Sequence, residues 1–180
     1  MNVFAERIIL QENRLLRWLN HGLRHNAFRT TMIFVSRLGD GVLWYSLAVA
    51  LLLWQGFSAW RAFLAAALAI AFCIALFKAL KKRTSRPRPF EVMSDLQTAI
   101  PPLDQWSFPS GHAMNAFAAA VLVQIFFAPL ALIIWPMAVL IALSRIALGL
   151  HYPSDVVVGA GLGALLAGGA SCLVMGLLSV

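Results

Sequence analysis

Three short stretches of the chain gather ionisable and hydroxyl side chains from which a reactive site can be built. The first is Lys81-Lys82-Arg83-Thr84-Ser85-Arg86-Pro87-Arg88-Pro89. Taken alone it is most simply a basic stop at a membrane surface, drawn to anionic headgroups. The second is Pro109-Ser110-Gly111-His112, directly before an apolar run. Proline suits a first helical turn, and Ser and Gly leave backbone N–H groups accessible, so the stretch reads as a helix N-terminus able to take an anion. His112 would sit in that first turn; a capped helix start with an incidental histidine is an equal reading of this stretch in isolation. The third is Ser144-Arg145 followed by His151-Tyr152-Pro153-Ser154-Asp155, with Pro153 marking a helix start. His151 and Asp155 are four apart, so the carboxylate can reach back to the imidazole. A carboxylate on one ring nitrogen fixes the tautomer and leaves the other nitrogen as an attacking lone pair. An isolated His/Asp pair at that spacing is more often structural.

Together the three stretches say more than each alone. Cationic side chains for the equatorial oxygens, an in-line nucleophile and a proton donor for the leaving oxygen are what phosphoryl transfer requires. Two histidines and an aspartate could instead ligate zinc. The surrounding Lys and Arg would repel a dication and attract an oxyanion, so the oxyanion reading is preferred and no metal or other cofactor is expected.

These residues must be positioned by elements that cross a bilayer. The chain is 61% hydrophobic and 12% charged, against about 45–50% and about 25% in ordinary soluble domains. A soluble domain of 180 residues could not hide so much apolar surface. Cys73 and Cys172 lie in apolar runs and imply no disulfide framework. A helix needs about 20 mostly apolar residues to span. Trp60–Leu80, Phe108–Phe127, Leu130–Leu148 and Asp155–Leu178 qualify, and Thr31–Trp54 is a fifth span interrupted by Arg37 and Gly39-Asp40-Gly41. Arg37 and Asp40, three apart, read as a structural ion pair ahead of a headgroup contact. Gly159, Gly163 and Ala167 form a small-residue face for close helix packing. In residues 1–29, Leu15, Leu16, Leu19 and Leu23 recur at helical spacing with Arg14, Arg17 and Arg24 between them. This predicts an amphipathic helix, lying in the interface or packed on the mouth of the bundle. The expected fold is therefore all-α: an integral membrane helical bundle over residues 30–180, of about five transmembrane helices, preceded by the amphipathic helix of residues 1–29. Five spans put all three motifs on one face of the membrane, and of 14 Lys plus Arg only Arg61 belongs clearly to the other.

The three motifs resemble those of the type 2 phosphatidic acid phosphatases, the PAP2 superfamily of membrane lipid phosphatases. The family pattern is Lys, six residues, Arg-Pro; then Pro-Ser-Gly-His; then Ser-Arg, five residues, His, three residues, Asp. Lys81 to Arg88-Pro89, Pro109 to His112, and Ser144-Arg145 to His151 to Asp155 supply all three parts in order. The resemblance implies that His151 attacks phosphorus, Asp155 holds its far nitrogen, and His112 protonates the departing oxygen and then activates water. It implies that Lys81, Arg88 and Arg145 hold the phosphate, with further donors from the backbone of Ser110 and Gly111, and that no metal takes part. Arg86-Pro87 is a second Arg-Pro, but only Arg88 has the family spacing.

The resemblance fixes a reaction class. The short layout favours undecaprenyl diphosphate as the substrate, with phosphatidylglycerol phosphate and phosphatidic acid as alternatives. Short prenyl enzymes often carry Asp at the position of Gly111, which keeps those alternatives open. The implied partners are a membrane lipid phosphate and the bilayer, not nucleic acid; the sequence is silent on oligomeric state. The implied location is the cell membrane, with the site on the periplasmic or outer face by family habit. The placement of Arg7, Arg14, Arg17, Arg24 and Arg29 argues for the cytoplasmic face. An anion-binding or transport protein is the non-enzyme alternative, and it would need neither both histidines nor Asp155.

Overall fold

The computed structural model describes residues 3–177, and these fold into helices with no strand among them. In chain order they are α1 (Val3–His21), α2 (Asn26–Arg37), α3 (Leu43–Gln55), α4 (Trp60–Thr84), α5 (Pro89–Val92), α6 (Gly111–Phe126), α7 (Ala131–Ala147) and α8 (Pro153–Leu177). At 1.5 Å per residue, α4 and α8 at 25 residues each are long enough for a hydrocarbon core of about 30 Å. Helices α6 and α7, at 16 and 17 residues, are shorter than the spans expected from hydropathy. Leu178, the expected end of the last span, lies outside the described residues. The bundle wears its large apolar side chains outward: Leu53, Phe57, Leu132 and Leu165 are all exposed. A soluble protein rarely exposes such patches, whereas a multi-pass membrane protein presents them to lipid.

Local sequence explains where the helices start and stop. Helices α2 and α3 form one bent rod because residues Leu38–Val42 make a wide turn in which Gly41 has φ +140°. That conformation is open to glycine, and it turns Asp40 toward α6. Pro109 was expected in the first turn of α6, but α6 begins at Gly111. The reason is that Ser110 is the extended N-cap, its Oγ accepting from the Ala113 amide at 3.5 Å. Pro153, by contrast, opens α8 as expected. Phe127-Ala128-Pro129 is the tight corner of an α6–α7 hairpin.

The core joins α4, α6 and α8, with Ala69 and Cys73 packed against Met114, Ala118, Ala167 and Val174. The expected small-residue face is where α8 meets α6. A Cβ at Gly159 would stand 2.5 Å from the Ser110 carbonyl oxygen, and one at Gly163 would stand 2.0 Å from that of Met114. Neither backbone can yield without moving a helix. Gly163→Ala is therefore expected to cost about 1–3 kcal/mol by overpacking. Gly161→Ala, where nothing lies within 4 Å, should leave the melting temperature in detergent unchanged; equal melting temperatures for the two variants would refute this packing.

Helix α1 packs on the mouth of the bundle. Leu16 is buried against Met93, Ile146 and Val156. Buried Asn20 donates to the carbonyls of Gln97 (2.8 Å) and Ala147 (2.9 Å) and accepts from the Gln97 amide at 2.9 Å. Helix α1 ends at His21, short of the expected residue 29, because the chain turns at Gly22–Arg24 into α2, and its described residues present a protein-facing stripe to α7, α8 and the loop before α6.

Candidate active site

Each site residue stands at a helix end on one side of the bundle. Lys81 lies in the last turn of α4, Arg88 just before α5, His112 in the first turn of α6 and Arg145 in the last turn of α7. Between α7 and α8 the chain reverses at Gly149 (φ +71°), and the amides of Leu150 and His151 return to the Arg145 carbonyl at 3.1 and 3.2 Å. This hook accounts for five residues between Arg145 and His151. Asp155 is in the first turn of α8, where the helix dipole favours a carboxylate.

The outcome is one cavity of about 510 Å³ lined by Lys81, Arg88, Gly111, His112, Arg145 and His151 together with Asp40, Asp104 and Asn115. Of the expected catalytic and phosphate-binding residues, two lie outside the lining: Asp155, which lies behind His151, and Ser110. Ser110 is fully buried and its amide donates to the Asp155 carbonyl at 3.0 Å, so it is not a free donor to the cavity. The close α6–α8 contact forces that pairing.

His151 is buried, with Nδ1 2.7 Å from the Ser107 carbonyl oxygen and Nε2 3.4 Å from Arg88 Nη1. A carbonyl only accepts, so the proton belongs on Nδ1 and the lone pair of Nε2 faces the cavity cations. The expected direct Asp155 contact is longer: Oδ2 stands 3.7 Å from Nδ1. That oxygen is already taken by the Tyr152 amide (2.8 Å) and the Ser107 hydroxyl, as in the carboxylate half of a capping box. Ser107 therefore bonds to both members of the pair, its carbonyl on the histidine and its hydroxyl on the aspartate.

His112 has its own carboxylate, with Nε2 and Asp40 Oδ1 2.5 Å apart. The expected Arg37–Asp40 ion pair does not form, because the wide turn at residues 38–42 directs Asp40 to α6. A Cβ at Gly39 would lie 2.8 Å from Ile141 and 3.2 Å from the His112 ring, so glycine permits this close approach. The cations are also held. Arg145 donates to the Ser36 hydroxyl while its buried Nε is left without a partner. Arg88 donates to the carbonyls of Leu150 (2.8 Å) and Trp106 (3.1 Å). A single oxygen of Asp104, Oδ1, bridges Lys81 and Arg88 at 2.6 and 2.7 Å. Sequence reasoning missed Asp104 and Ser107. One signal was present: Asp104 is the only acidic residue between Asp95 and Asp155.

Burial opposes a charge on Asp104, but the hydrogen bond and charge of Lys81, with Arg88, hold it below the usual carboxylate range. Burial, with Arg145 and Arg88, pushes His151 down to about 3 against the pull of Asp155. Unfolded imidazole titrates at about 6.5. Below that pH the unfolded chain takes a proton that the fold refuses, so stability is intact above about pH 6.5 and is lost as pH falls toward 3. At pH 5 the loss is on the order of 2 kcal/mol. The melting temperature should drop more between pH 7.5 and 5 for the wild type than for His151→Gln; equal drops would show that His151 is not held neutral.

Among the described residues, no three His, Cys, Asp or Glu side chains lie together as metal ligands would. A family model described as the PAP2 superfamily matches residues 59–177. Over 96 residues the chain is 42% identical to the decaprenylphosphoryl-5-phosphoribose phosphatase of Mycobacterium tuberculosis, covering 53% of this chain and 50% of that protein. It is 30% identical over 131 residues to the undecaprenyl-diphosphatase of Sulfolobus acidocaldarius, covering 71% of this chain and 62% of that protein. The chain thus spans about half the length of the mycobacterial relative. The crystal structure of Aquifex aeolicus LpxE superposes with a TM-score of 0.72 at 28% identity, over 87% of this chain and 92% of that one. That of a PAP2 type phosphatidylglycerolphosphate phosphatase from Bacillus subtilis superposes with a TM-score of 0.74 at 26% identity, over 95% and 86%.

Proposed function

This chain belongs to the PAP2 superfamily, and on that premise we propose that it is a metal-independent membrane lipid phosphatase working through a phosphohistidine. The observation that carries the reading is the single cavity that gathers His151, His112, Lys81, Arg88 and Arg145. His151 Nε2 attacks phosphorus and the bond to the lipid oxygen breaks, with Lys81, Arg88, Arg145 and the Gly111 amide taking the charge of the transferred group. His112, oriented by Asp40, gives the leaving oxygen a proton and then takes one from the water that hydrolyses the phosphohistidine, releasing phosphate. Asp155, through Ser107, keeps the His151 ring in place. Phosphate binding displaces the Asp104 carboxylate from Lys81 and Arg88.

We infer a polyprenyl substrate, with undecaprenyl diphosphate first. Support comes from two relatives whose names both carry a polyprenyl phosphate. A phosphatidylglycerol phosphate substrate is the second reading, favoured by the superposition on the Bacillus subtilis structure. The test is phosphate release by purified protein in detergent with chelator present. Undecaprenyl diphosphate, phosphatidylglycerol phosphate and phosphatidic acid are assayed in parallel. Release from the first, fastest, supports the reading; faster release from a glycerolipid moves the assignment to it. A requirement for added metal would overturn the metal-independent route, and no release from any lipid would overturn the function.

A further inference from the structure

Arg86 is the second Arg-Pro arginine, set aside by its spacing, yet its side chain makes three hydrogen bonds behind the site. Its Nη1 donates to Asp155 Oδ1 at 2.6 Å and to Ser154 Oγ at 2.8 Å, and its Nη2 to Glu12 Oε1 at 3.0 Å. Its guanidinium lies over the Tyr152 ring, 3.8 Å from the centroid. Its backbone carbonyl accepts from the Ser107 amide at 2.9 Å. Ser107 in turn touches both His151 and Asp155.

Asp155 is fully buried, so its charge needs a cation and a full set of donors. Oδ2 is supplied by Tyr152 and Ser107, and Arg86 is the ion-pair partner of Oδ1. Arg86 does not line the substrate cavity, and its hydrogen-bonding edges are turned to Asp155, Ser154 and Glu12. Glu12 is itself buried and also accepts from Ser154 Oγ at 2.9 Å. It stands on α1, before the residues matched by the family model.

Resting on the reading of Asp155 and His151 given above, we propose that Arg86, clamped by Glu12 of α1, is a positioning residue that fixes Asp155 and Ser107 behind the His151 nucleophile. Helix α1 is thereby part of the catalytic support. Arg86 acts on the chemical step and not on substrate binding, because a small displacement of a nucleophile costs rate more than affinity.

The experiment measures phosphate release by full-length wild type, Arg86→Gln, Arg86→Lys, Glu12→Gln and the Arg86→Gln/Glu12→Gln double variant, on the lipid the wild type prefers. Arg86→Gln should lower kcat by about 10- to 100-fold with KM nearly unchanged. Arg86→Lys should recover part of the rate, since it keeps the cation. Glu12→Gln should lose less, and the double variant no more than Arg86→Gln alone, because Glu12 acts through Arg86. If Arg86→Gln does not fold, Arg86→Lys and Glu12→Gln still read the role as a smaller loss in kcat with KM nearly unchanged, and wild-type kcat in both would overturn it. Wild-type kcat in Arg86→Gln, or a rise in KM alone, would overturn the proposal while leaving the phosphatase reading intact. Additive losses would sever Glu12 from Arg86. A wild type that releases no phosphate would overturn the function and this role with it.

Discussion

His151→Ala is expected to lower phosphate release by about 10⁴-fold or more, with substrate affinity reduced far less. The reason is geometric. The Ser107 carbonyl holds Nδ1 at 2.7 Å, which leaves Nε2 as the lone pair facing Arg88 and the cavity. Alanine leaves the cations and the cavity in place but removes the atom that bonds to phosphorus. Wild type given a radiolabelled lipid phosphate and quenched in alkali should carry label on the protein, and His151→Ala should carry none. Near-normal turnover in the variant, or label retained on another residue, would sink the phosphohistidine route.

The second large effect is expected at His112, and its signature is a split between two half-reactions. His112→Asn should slow release from a lipid substrate by about 10²–10⁴-fold, the usual span for a general acid–base group. A nitrophenyl phosphate has a leaving group that needs no proton, so with it the first step should survive. Water activation would still be missing, and labelled phosphoprotein should accumulate. Asp40 at 2.5 Å makes a companion test: Asp40→Asn keeps the size of the partner and removes its charge. A His112→Asn protein that handles lipid and nitrophenyl phosphates with equal losses and no accumulated label would show that His112 only binds.

Much of this was legible from residue types and spacing. The motif order places Lys81, Arg88, His112, Arg145 and His151 at helix ends on one side, and helix ends on one side of a short bundle must lie near one another. The break at Gly39-Asp40-Gly41 was visible too, since glycines flank a charge inside an apolar run. The partner of that charge was not visible. Asp40 is three residues from Arg37 but 72 from His112, and local spacing favours the near partner. Asp155, four residues from His151, does reach to within 3.7 Å of its ring, but Ser107, which bonds to both, enters from a loop that no periodicity marks.

Residue types and their order alone make the chain a helical membrane protein and single out the side chains proposed to act on phosphorus. Hydropathy acts residue by residue, and the donor and acceptor chemistry of a side chain travels with its type. The tertiary structure decided the partners: Asp104 across Lys81 and Arg88, Asp40 on His112, and Glu12 through Arg86 to Asp155. Those contacts depend on how far α8 sinks into α6 at Gly159 and Gly163 and on where α1 lies across the mouth. Close packing sets both distances, and packing is a property of several helices at once.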